Sequence, residues 1–323
     1  MLKVIGWNRA FALFFLVLIL LGLGSLDQEK LLLNFGSSPP VEVELIAVPE
    51  IPVANAVLIN PNTNYQAPQA SISALAAIVY DRSSQTQLYE ENVDRLLNIA
   101  SLTKLMSAML IKDALPLDQE IEIKYEDLTY SNKLGLLVGE RLTVESLLKA
   151  MLIASSNEAT EALARNYPGG YYALVNVMNQ KAVALGMNHT TFTNPIGYDH
   201  LQHLSTAREM VTLSSEFMSD PLFASIVTQS HLVISDVTNQ QHHILQNTNS
   251  LLMEDARTRG IKTGTTQAAG EALIAQFDHQ GHELVIVILG SKNRFTDAKV
   301  LLDWTTQNYS WLRPELLMQS LVF

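Results

Sequence analysis

The sequence predicts an α+β fold in which one antiparallel sheet takes strands from both ends of the folded domain. Two observations support this prediction. Short strand-like segments bounded by turn residues occur between residues 74 and 90 and again between residues 260 and 289. The segments between them carry the capping residues and the apolar spacing of helices. We therefore expect an antiparallel sheet flanked by helices, with an all-helical subdomain beside it.

The first 26 residues predict a membrane-targeting segment. Lys3 and Arg9 precede Ala10–Leu26, a stretch of 17 uncharged residues that is just long enough to cross a bilayer. The flanking positive charge holds its start in the cytoplasm and favours a retained anchor. The alternative is a secretory signal peptide, because Gly22-Leu-Gly24 before Ser25 has the pattern of a weak cleavage site. Both interpretations place the remaining chain outside the cytoplasmic membrane, in the periplasm or at the cell surface.

Residues 27–70 predict a tether between this segment and the folded domain. The prolines of this segment are Pro39, Pro40, Pro49, Pro52, Pro61 and Pro68. Prolines at this density disfavour both helices and central strands, because proline lacks the N–H donor that each requires. Val41–Ala47 could still pair as an edge strand.

The folded domain is predicted to span residues 71–323. It begins with a hairpin of Ala74–Tyr80 and Gln87–Glu90, which turns at a polar segment. A helix then begins at Ser101 and runs to about Leu115, followed by a short strand at Glu120–Lys124.

The next helix is expected to begin after Thr143 and to end at Ala154, because a threonine hydroxyl can accept a hydrogen bond from the first turn. Glu145 lies in that turn, where the helix dipole favours negative charge. The remaining predicted helices are Glu158–Asn166, Tyr171–Leu185, a segment from Ser205 or Thr206 to Met218, and Thr296–Asn308. The remaining predicted strands are one that begins with Gly260–Thr265, then Ala272–Phe277 and Glu283–Leu289, the last two joined by a turn at His279-Gln-Gly281.

The composition excludes several classes of function. The formal net charge is −11, and no basic run is present, which argues against nucleic acid as a partner. Cysteine is absent, so the chain has no disulfides, thiolate metal sites or thiol nucleophiles. The pairs His200 and His203, and His242 and His243, lack the spacing and the acidic base of a zinc helix. The sequence therefore predicts neither a metal nor a cofactor.

Ser101 and Lys104 form the first candidate catalytic pair. They are three positions apart, so both side chains lie on one face of a helix that begins at Ser101. An ordinary lysine, with a pKa of about 10.4, is only about 0.04% neutral at pH 7. The site must therefore lower the pKa of Lys104 by burial or by a second positive charge. Ser146 and Lys149 have the same spacing, so this pattern alone also fits a helix cap followed by a solvated lysine.

Two later motifs supply complementary groups. Ser155-Ser-Asn157 lies at the junction of two predicted helices, and Lys262-Thr-Gly264 lies at the start of a predicted strand. Each alone fits a helix cap or an exposed strand start. Together they provide a second cation, Lys262, which would lower the pKa of Lys104 and attract an anionic substrate terminus. Ser155 could relay a proton, and Asn157 could hold a substrate amide. Gly264 would let a substrate backbone lie against the strand.

These three motifs resemble those of the active-site serine penicillin-recognising enzymes. Longer stretches narrow the resemblance to the low-molecular-mass D-alanyl-D-alanine carboxypeptidases, over roughly residues 70–312. These stretches are Asn98–Asp113, Glu145–Arg165, Phe192–Met210, Asn247–Leu252, Gly260–Ala275 and Ile288–Trp304. The resemblance implies a β-lactamase/transpeptidase-like fold. It also implies removal of the terminal D-alanine from peptidoglycan stem pentapeptides through an acyl-enzyme, with β-lactam antibiotics as covalent inhibitors.

The resemblance also implies the role of each site residue. Ser101 would be the nucleophile, Lys104 its general base and Ser155 the proton shuttle. The implied substrate-binding residues are Asn157, Lys262, Thr263, Gly264, Thr265 and Arg294. The oxyanion would lie between the backbone N–H groups of Ser101 and Thr265. Arg294 fits equally well a surface arginine at the end of the last strand.

The sequence departs from the family pattern in three places. Ser156 stands where glycine is common and Glu271 where an aromatic residue is common, and either could reshape the substrate groove. Residues 313–323 are too few for the second, β-rich domain and the C-terminal membrane helix of many relatives. Catalytic-domain-only relatives include endopeptidases that cut peptidoglycan cross-links, so that activity is an alternative. A cell-wall-binding protein with little catalysis is a second alternative. A β-lactamase is disfavoured, because the Glu-x-x-Leu-Asn setting of its deacylating carboxylate is missing.

Overall fold

A five-stranded antiparallel sheet forms the centre of the domain in our computed structural model. The structure describes residues 68–311 and three two-residue strands that precede them. In chain order, the strands are β1 (Leu32–Leu33), β2 (Val41–Glu42), β3 (Ile59–Asn60), β4 (Ala76–Asp81), β5 (Thr86–Glu91), β6 (Leu97–Asn98), β7 (Glu120–Glu122), β8 (Arg141–Thr143), β9 (Leu204–Ser205), β10 (His231–Ser235), β11 (His242–Gln246), β12 (Thr258–Thr266), β13 (Gly270–His279), β14 (His282–Ser291) and β15 (Ser310–Trp311).

Most of the helices lie in the chain between the two ends of the sheet, and the last follows the sheet. They are α1 (Lys104–Ala114), α2 (Val144–Ile153), α3 (Asn157–Asn166), α4 (Gly170–Ala184), α5 (Ala207–Met218), α6 (Pro221–Val227), α7 (Leu251–Glu254) and α8 (Arg294–Asn308). Two short 3₁₀ helices lie at Ala100–Thr103 and Tyr125–Leu128.

The strand order of the sheet is β12-β13-β14-β4-β5, with every neighbouring pair antiparallel. The N-terminal hairpin joins the C-terminal strands through β4 and β14, where Ile78 lies opposite Val287. The predicted α+β fold, with a sheet drawn from both ends of the domain, is therefore confirmed. The predicted hairpins at Ala74–Glu90 and around His279-Gln-Gly281 are both present.

Alternate residues of the sheet pack into two separate cores, as the period of two in a strand requires. Ala77 and Val79 of β4 pack with α8 on one face. Ala76 and Ile78 face the other way and pack with the helical subdomain. Because both faces are covered, the central strands are apolar on both sides, with β14 buried from Leu284 to Leu289.

Helix α1 lies at the centre of the helical subdomain. It packs against α2, α3, α4 and α5, so it is buried on all sides rather than along one stripe. This enclosure explains the unbroken apolar run that follows Ser101 in the sequence. It also fixes the start of the helix, and with it the turn that carries Ser101, against the sheet.

Capping residues begin three of these helices, two of them where the sequence indicates. The Thr143 hydroxyl accepts from the Ser146 N–H at 3.1 Å and begins α2. The Thr206 hydroxyl accepts from the Glu209 N–H at 3.1 Å and begins α5, which decides between the two predicted caps. Helix α3 is capped by Ser156, whose hydroxyl accepts from the Ala159 N–H at 3.0 Å.

Some elements were not predicted. Helix α6 has a clear start signal, an Asp220 cap followed by Pro221, but its seven residues are too few to show helical periodicity. The hairpin of β10 and β11 also escaped prediction. The strand expected at Glu120–Lys124 ends two residues earlier, at Glu122, where its pairing with β8 ends.

The predicted membrane segment Ala10–Leu26 lies outside the described residues, and so does most of the predicted tether. Within that tether, Val41–Glu42 pairs with Leu32–Leu33. In the part of the chain that the structure describes, no helix combines the length and hydropathy needed to cross a bilayer.

Candidate active site

Ser101 lies in a 3₁₀ turn that leads directly into α1. Two glycines press against this turn. At Gly197, where φ is +96°, a Cβ atom would lie 1.9 Å from the Ala100 carbonyl oxygen. At Gly264, a Cβ atom would lie 2.9 Å from the Ser101 nitrogen. Gly264 therefore lets β12 approach the turn itself, which differs from our expectation that it makes room for a substrate backbone.

Lys104 is fully buried, and its ammonium group has three acceptors. The Nζ atom donates to Ser101 Oγ at 2.9 Å, to Asn157 Oδ1 at 2.8 Å and to the Ile196 carbonyl at 3.0 Å. Burial lowers the pKa of Lys104 to about 7, which outweighs the opposing effect of the Glu158 charge. A neutral amine is therefore available at physiological pH, within hydrogen-bonding distance of the Ser101 hydroxyl.

Lys262 is also buried, with 1% of its surface exposed. Its Nζ atom donates to Ser155 Oγ at 2.7 Å and to the Thr263 carbonyl at 3.0 Å. Burial, followed by the charges of Lys104 and Arg294, lowers the pKa of Lys262 well below its usual value. We expected the positive charge of Lys262 to lower the pKa of Lys104. The structure instead makes burial the largest cause, while the repulsion of Lys104 acts on Lys262.

Ser155 and Asn157 reach the site from the junction of α2 and α3. Ser155 has a left-handed backbone, with φ of 56°, and Asn157 is the first residue of α3. Ser156, between them, is 3% exposed because its side chain caps α3. We expected Ser156 to reshape the groove, but its side chain is directed into the helix.

Arg294 begins α8 beside the last residues of β12. Its Nη1 atom donates to the Gly264 carbonyl at 2.7 Å and to Thr265 Oγ1 at 2.6 Å. The Thr263 hydroxyl, further along the same strand, lies 2.6 Å from the Thr248 hydroxyl. The structure thus brings every site residue that the sequence predicted to one place, between α1, the α2–α3 junction and the β12 edge.

One loop of the site was identified only as part of a longer matching stretch. Asn194 Oδ1 accepts from the N–H groups of Ile196, Gly197 and Tyr198, at 3.2, 2.7 and 3.0 Å. This loop directs the Ile196 carbonyl at Lys104. The Asn-Pro pair before a glycine was the available signal for a tight loop.

The loop is fixed to the Ser101 turn by a neutral histidine, His203, whose Nδ1 atom accepts from the Thr193 N–H at 3.1 Å. Thr103 Oγ1 donates to the Ala100 carbonyl at 2.7 Å and lies 2.7 Å from His203 Nε2. Burial lowers the pKa of His203 to about 4, so the ring is neutral at pH 7. Because the Thr103 hydroxyl already donates to the Ala100 carbonyl, its oxygen can only accept a hydrogen bond from His203. The ring proton therefore lies on Nε2, which donates this hydrogen bond. Within residues 68–311, no cluster of three or more histidine, aspartate or glutamate side chains could hold a metal ion.

Known proteins are similar to this chain in sequence and in fold. A family model described as D-alanyl-D-alanine carboxypeptidase matches residues 62–293. The D-alanyl-D-alanine endopeptidase of Escherichia coli K12 is 32% identical over 80% of this chain and 85% of that protein. The enzyme of the same name from Pseudomonas aeruginosa is 33% identical over 78% of this chain and 84% of its own. The crystal structure of the Streptomyces K15 DD-transpeptidase superposes with a TM-score of 0.71 at 25% identity, over 74% of this chain and 99% of that one.

Proposed function

Because the chain belongs to the D-alanyl-D-alanine carboxypeptidase family, we propose that Ser101 is the nucleophile with which it removes the terminal D-alanine of peptidoglycan stem pentapeptides. Membership makes the chain a serine-type peptidase that acts on the cell wall, outside the cytoplasm, and is inhibited by β-lactams. The observation that carries the site assignment is the 2.9 Å contact between Ser101 Oγ and the fully buried Lys104 Nζ.

Acylation begins when neutral Lys104 takes the Ser101 proton and Oγ attacks the carbonyl of the penultimate D-alanine. The negative charge on the carbonyl oxygen is stabilised by the N–H groups of Ser101 and Thr265, and each such donor is worth about 3 kcal/mol in other hydrolases. Asn157 holds a substrate amide while its Oδ1 also accepts from Lys104.

Expulsion of D-alanine requires a proton on the leaving nitrogen. Ser155 Oγ accepts a hydrogen bond from Lys262, which leaves its own hydroxyl proton free to pass to that nitrogen. The proton that Lys104 took from Ser101 then replaces it on Ser155, so Lys104 returns to its neutral form. Lys262 and Thr263 hold the terminal carboxylate, with Arg294 beside them at the end of β12. Water then attacks the acyl-enzyme, and neutral Lys104 accepts the water proton. Lys104 returns this proton to Ser101 Oγ as the acyl bond breaks, which regenerates the serine and the neutral amine.

The acylation rate is expected to depend on pH around the pKa of Lys104, about 7. The active form of Lys104 is the neutral amine, so the rate should be low at pH 5, rise through pH 7 and level off above it. The second-order rate constant for acylation by a penicillin, measured from pH 5 to 9, tests this. A flat profile would contradict the role of Lys104 as base.

A second candidate function is D,D-endopeptidase cleavage of peptidoglycan cross-links. The similarity to two proteins named D-alanyl-D-alanine endopeptidase, over 85% and 84% of their lengths, favours it. Both reactions use the same acyl-enzyme and differ in the leaving group.

Mass analysis of the products separates the two activities. The full chain is incubated with monomeric pentapeptide and, separately, with cross-linked muropeptide dimers. Loss of one alanine from the pentapeptide is the result that we expect. Conversion of dimers to monomers without that loss would assign the endopeptidase activity instead. A Ser101→Ala sample, which should release neither product, is the control for contaminating hydrolases.

We further propose that Ala10–Leu26 holds the enzyme at the cytoplasmic membrane or directs its export before cleavage, with residues 27–70 as the tether. The support is the uncharged stretch behind Lys3 and Arg9 and the prolines that follow it. Fractionation of cells followed by N-terminal sequencing would distinguish a retained anchor from a cleaved signal.

A further inference from the structure

Glu271 lies on β13, directly beside Thr265 of the neighbouring strand β12. The two residues are partners in the antiparallel register of β12 and β13, so their side chains point to the same face. Glu271 Oε2 accepts from the Arg294 backbone N–H at 2.9 Å and lies 4.0 Å from Arg294 Nε. An acidic side chain therefore stands at the end of β12 where the proposed function places the substrate carboxylate.

The two cationic residues at this end of β12, Arg294 and Lys262, can offer little positive charge to a substrate carboxylate. Arg294 Nη1 is already engaged by the Gly264 carbonyl and the Thr265 hydroxyl. Among the described residues, the buried Nε atom of Arg294 has no hydrogen-bond partner, and 14% of the side chain is exposed. The Glu271 carboxylate is close enough to offset the guanidinium charge. Burial also lowers the pKa of Lys262, the second cation of this edge.

We propose that Glu271 is a specificity-determining residue that weakens the preference of this site for a peptide with a free terminal carboxylate. The inference rests on the proposed function, in which that carboxylate binds beside Lys262, Thr263 and Arg294. A carboxylate bound there would meet the Glu271 charge at a partly buried position, where like charges repel more strongly than in water. Lys262, Thr263 and Arg294 alone would favour a leaving residue with a free carboxylate. With Glu271 present, the site should accept a leaving residue that ends in a neutral group better than those three residues would predict.

Glu271→Gln separates charge from geometry. Glutamine keeps an oxygen that can accept from the Arg294 N–H, but it removes the negative charge. The substitution is made in the full chain, and two peptides that end in D-Ala-D-Ala are compared. One peptide has a free terminal carboxylate and the other has a terminal carboxamide. The measured quantity is the ratio of their kcat/KM values, obtained from the release of D-alanine and of D-alaninamide.

We expect Glu271→Gln to raise this ratio about tenfold, mainly through a lower KM for the carboxylate peptide. Glu283→Gln is the matched control, because it removes the same charge at the opposite end of the sheet, where Glu283 pairs with Arg82 at 2.7 Å. That control should leave the ratio unchanged. In an Arg294→Gln background, the effect of Glu271→Gln should fall below about threefold, because part of it acts through the guanidinium.

An unchanged or lowered ratio in Glu271→Gln, with the unsubstituted chain active on the carboxylate peptide, would overturn the inference. An equal shift in Glu283→Gln would also overturn it, because the effect would then reflect net charge alone. If the unsubstituted chain cleaves neither peptide, the proposed function fails first and the inference fails with it. The two failures are therefore distinguishable in one data set.

Discussion

Ser101→Ala is expected to abolish covalent labelling of the chain by a penicillin. The substitution removes the hydroxyl oxygen that we propose forms the acyl bond, while Lys104 keeps its contacts to Asn157 and Ile196. Ser101 is half-buried and its side chain is small, so the fold should persist. Mass spectrometry after incubation with a penicillin should show the full adduct in the unsubstituted chain and none in the variant.

The chain contains its own control for this experiment. Ser146 and Lys149 repeat the same spacing in α2, but Lys149 pairs with Glu145 at 2.7 Å and Ser146 contacts the Thr143 cap. Ser146→Ala should therefore be labelled as fast as the unsubstituted chain. Labelling that persists in Ser101→Ala would refute the assignment of the nucleophile.

The contrast between these two serine–lysine pairs shows how much of the site the sequence could predict. Spacing alone places both pairs on helix faces and does not distinguish them. The distinction came from two later motifs, whose chemistry complements a buried amine. The structure explains why the two pairs differ: Ser101 lies against the sheet, and Lys104 is enclosed by the helical subdomain.

Much of the fold was predictable because its signals are local. The Thr143 cap, the hairpin turn at His279-Gln-Gly281 and the alternation along β4 are each set by residues close in sequence. The roles of Ser156 and Gly264 were not predictable in the same way. The Ser156 side chain caps helix α3, and Gly264 packs closely against the Ser101 nitrogen. Each outcome depends on how distant segments pack.

The same limit applies to Glu271. In the sequence it is only an acidic residue where the family often has an aromatic one. Its contact with Arg294 depends on the register of β12 and β13 and on the position at which α8 begins. A sequence pattern predicts which residues lie on a strand. Tertiary packing decides which charged side chains lie close enough to offset each other, as Glu271 and Arg294 do.

Lys104→Met is expected to lower the rate of acylation by a penicillin about 10²–10⁴-fold, the range that general bases supply. Methionine fills a similar volume but cannot take the Ser101 proton. The residual rate should also lose its rise through pH 7, since the group with a pKa of about 7 is gone. Stopped-flow acylation from pH 5 to 9 measures both effects.

The stability of the Lys104→Met variant should not fall with its acylation rate. Measuring both quantities therefore separates an effect on catalysis from an effect on folding. In the unfolded chain Lys104 has an ordinary pKa of 10.5, and in the folded chain burial lowers the pKa to about 7. A lowered lysine pKa means that folding opposes protonation, so this residue destabilises the fold fully below pH 7 and progressively less up to about pH 10.5. Lys104→Met should therefore keep or raise the thermal unfolding midpoint at pH 7. Lys149→Met, the control at the partly exposed pair with Glu145, should leave acylation intact. Rapid acylation by a well-folded Lys104→Met variant would mean that another group is the base.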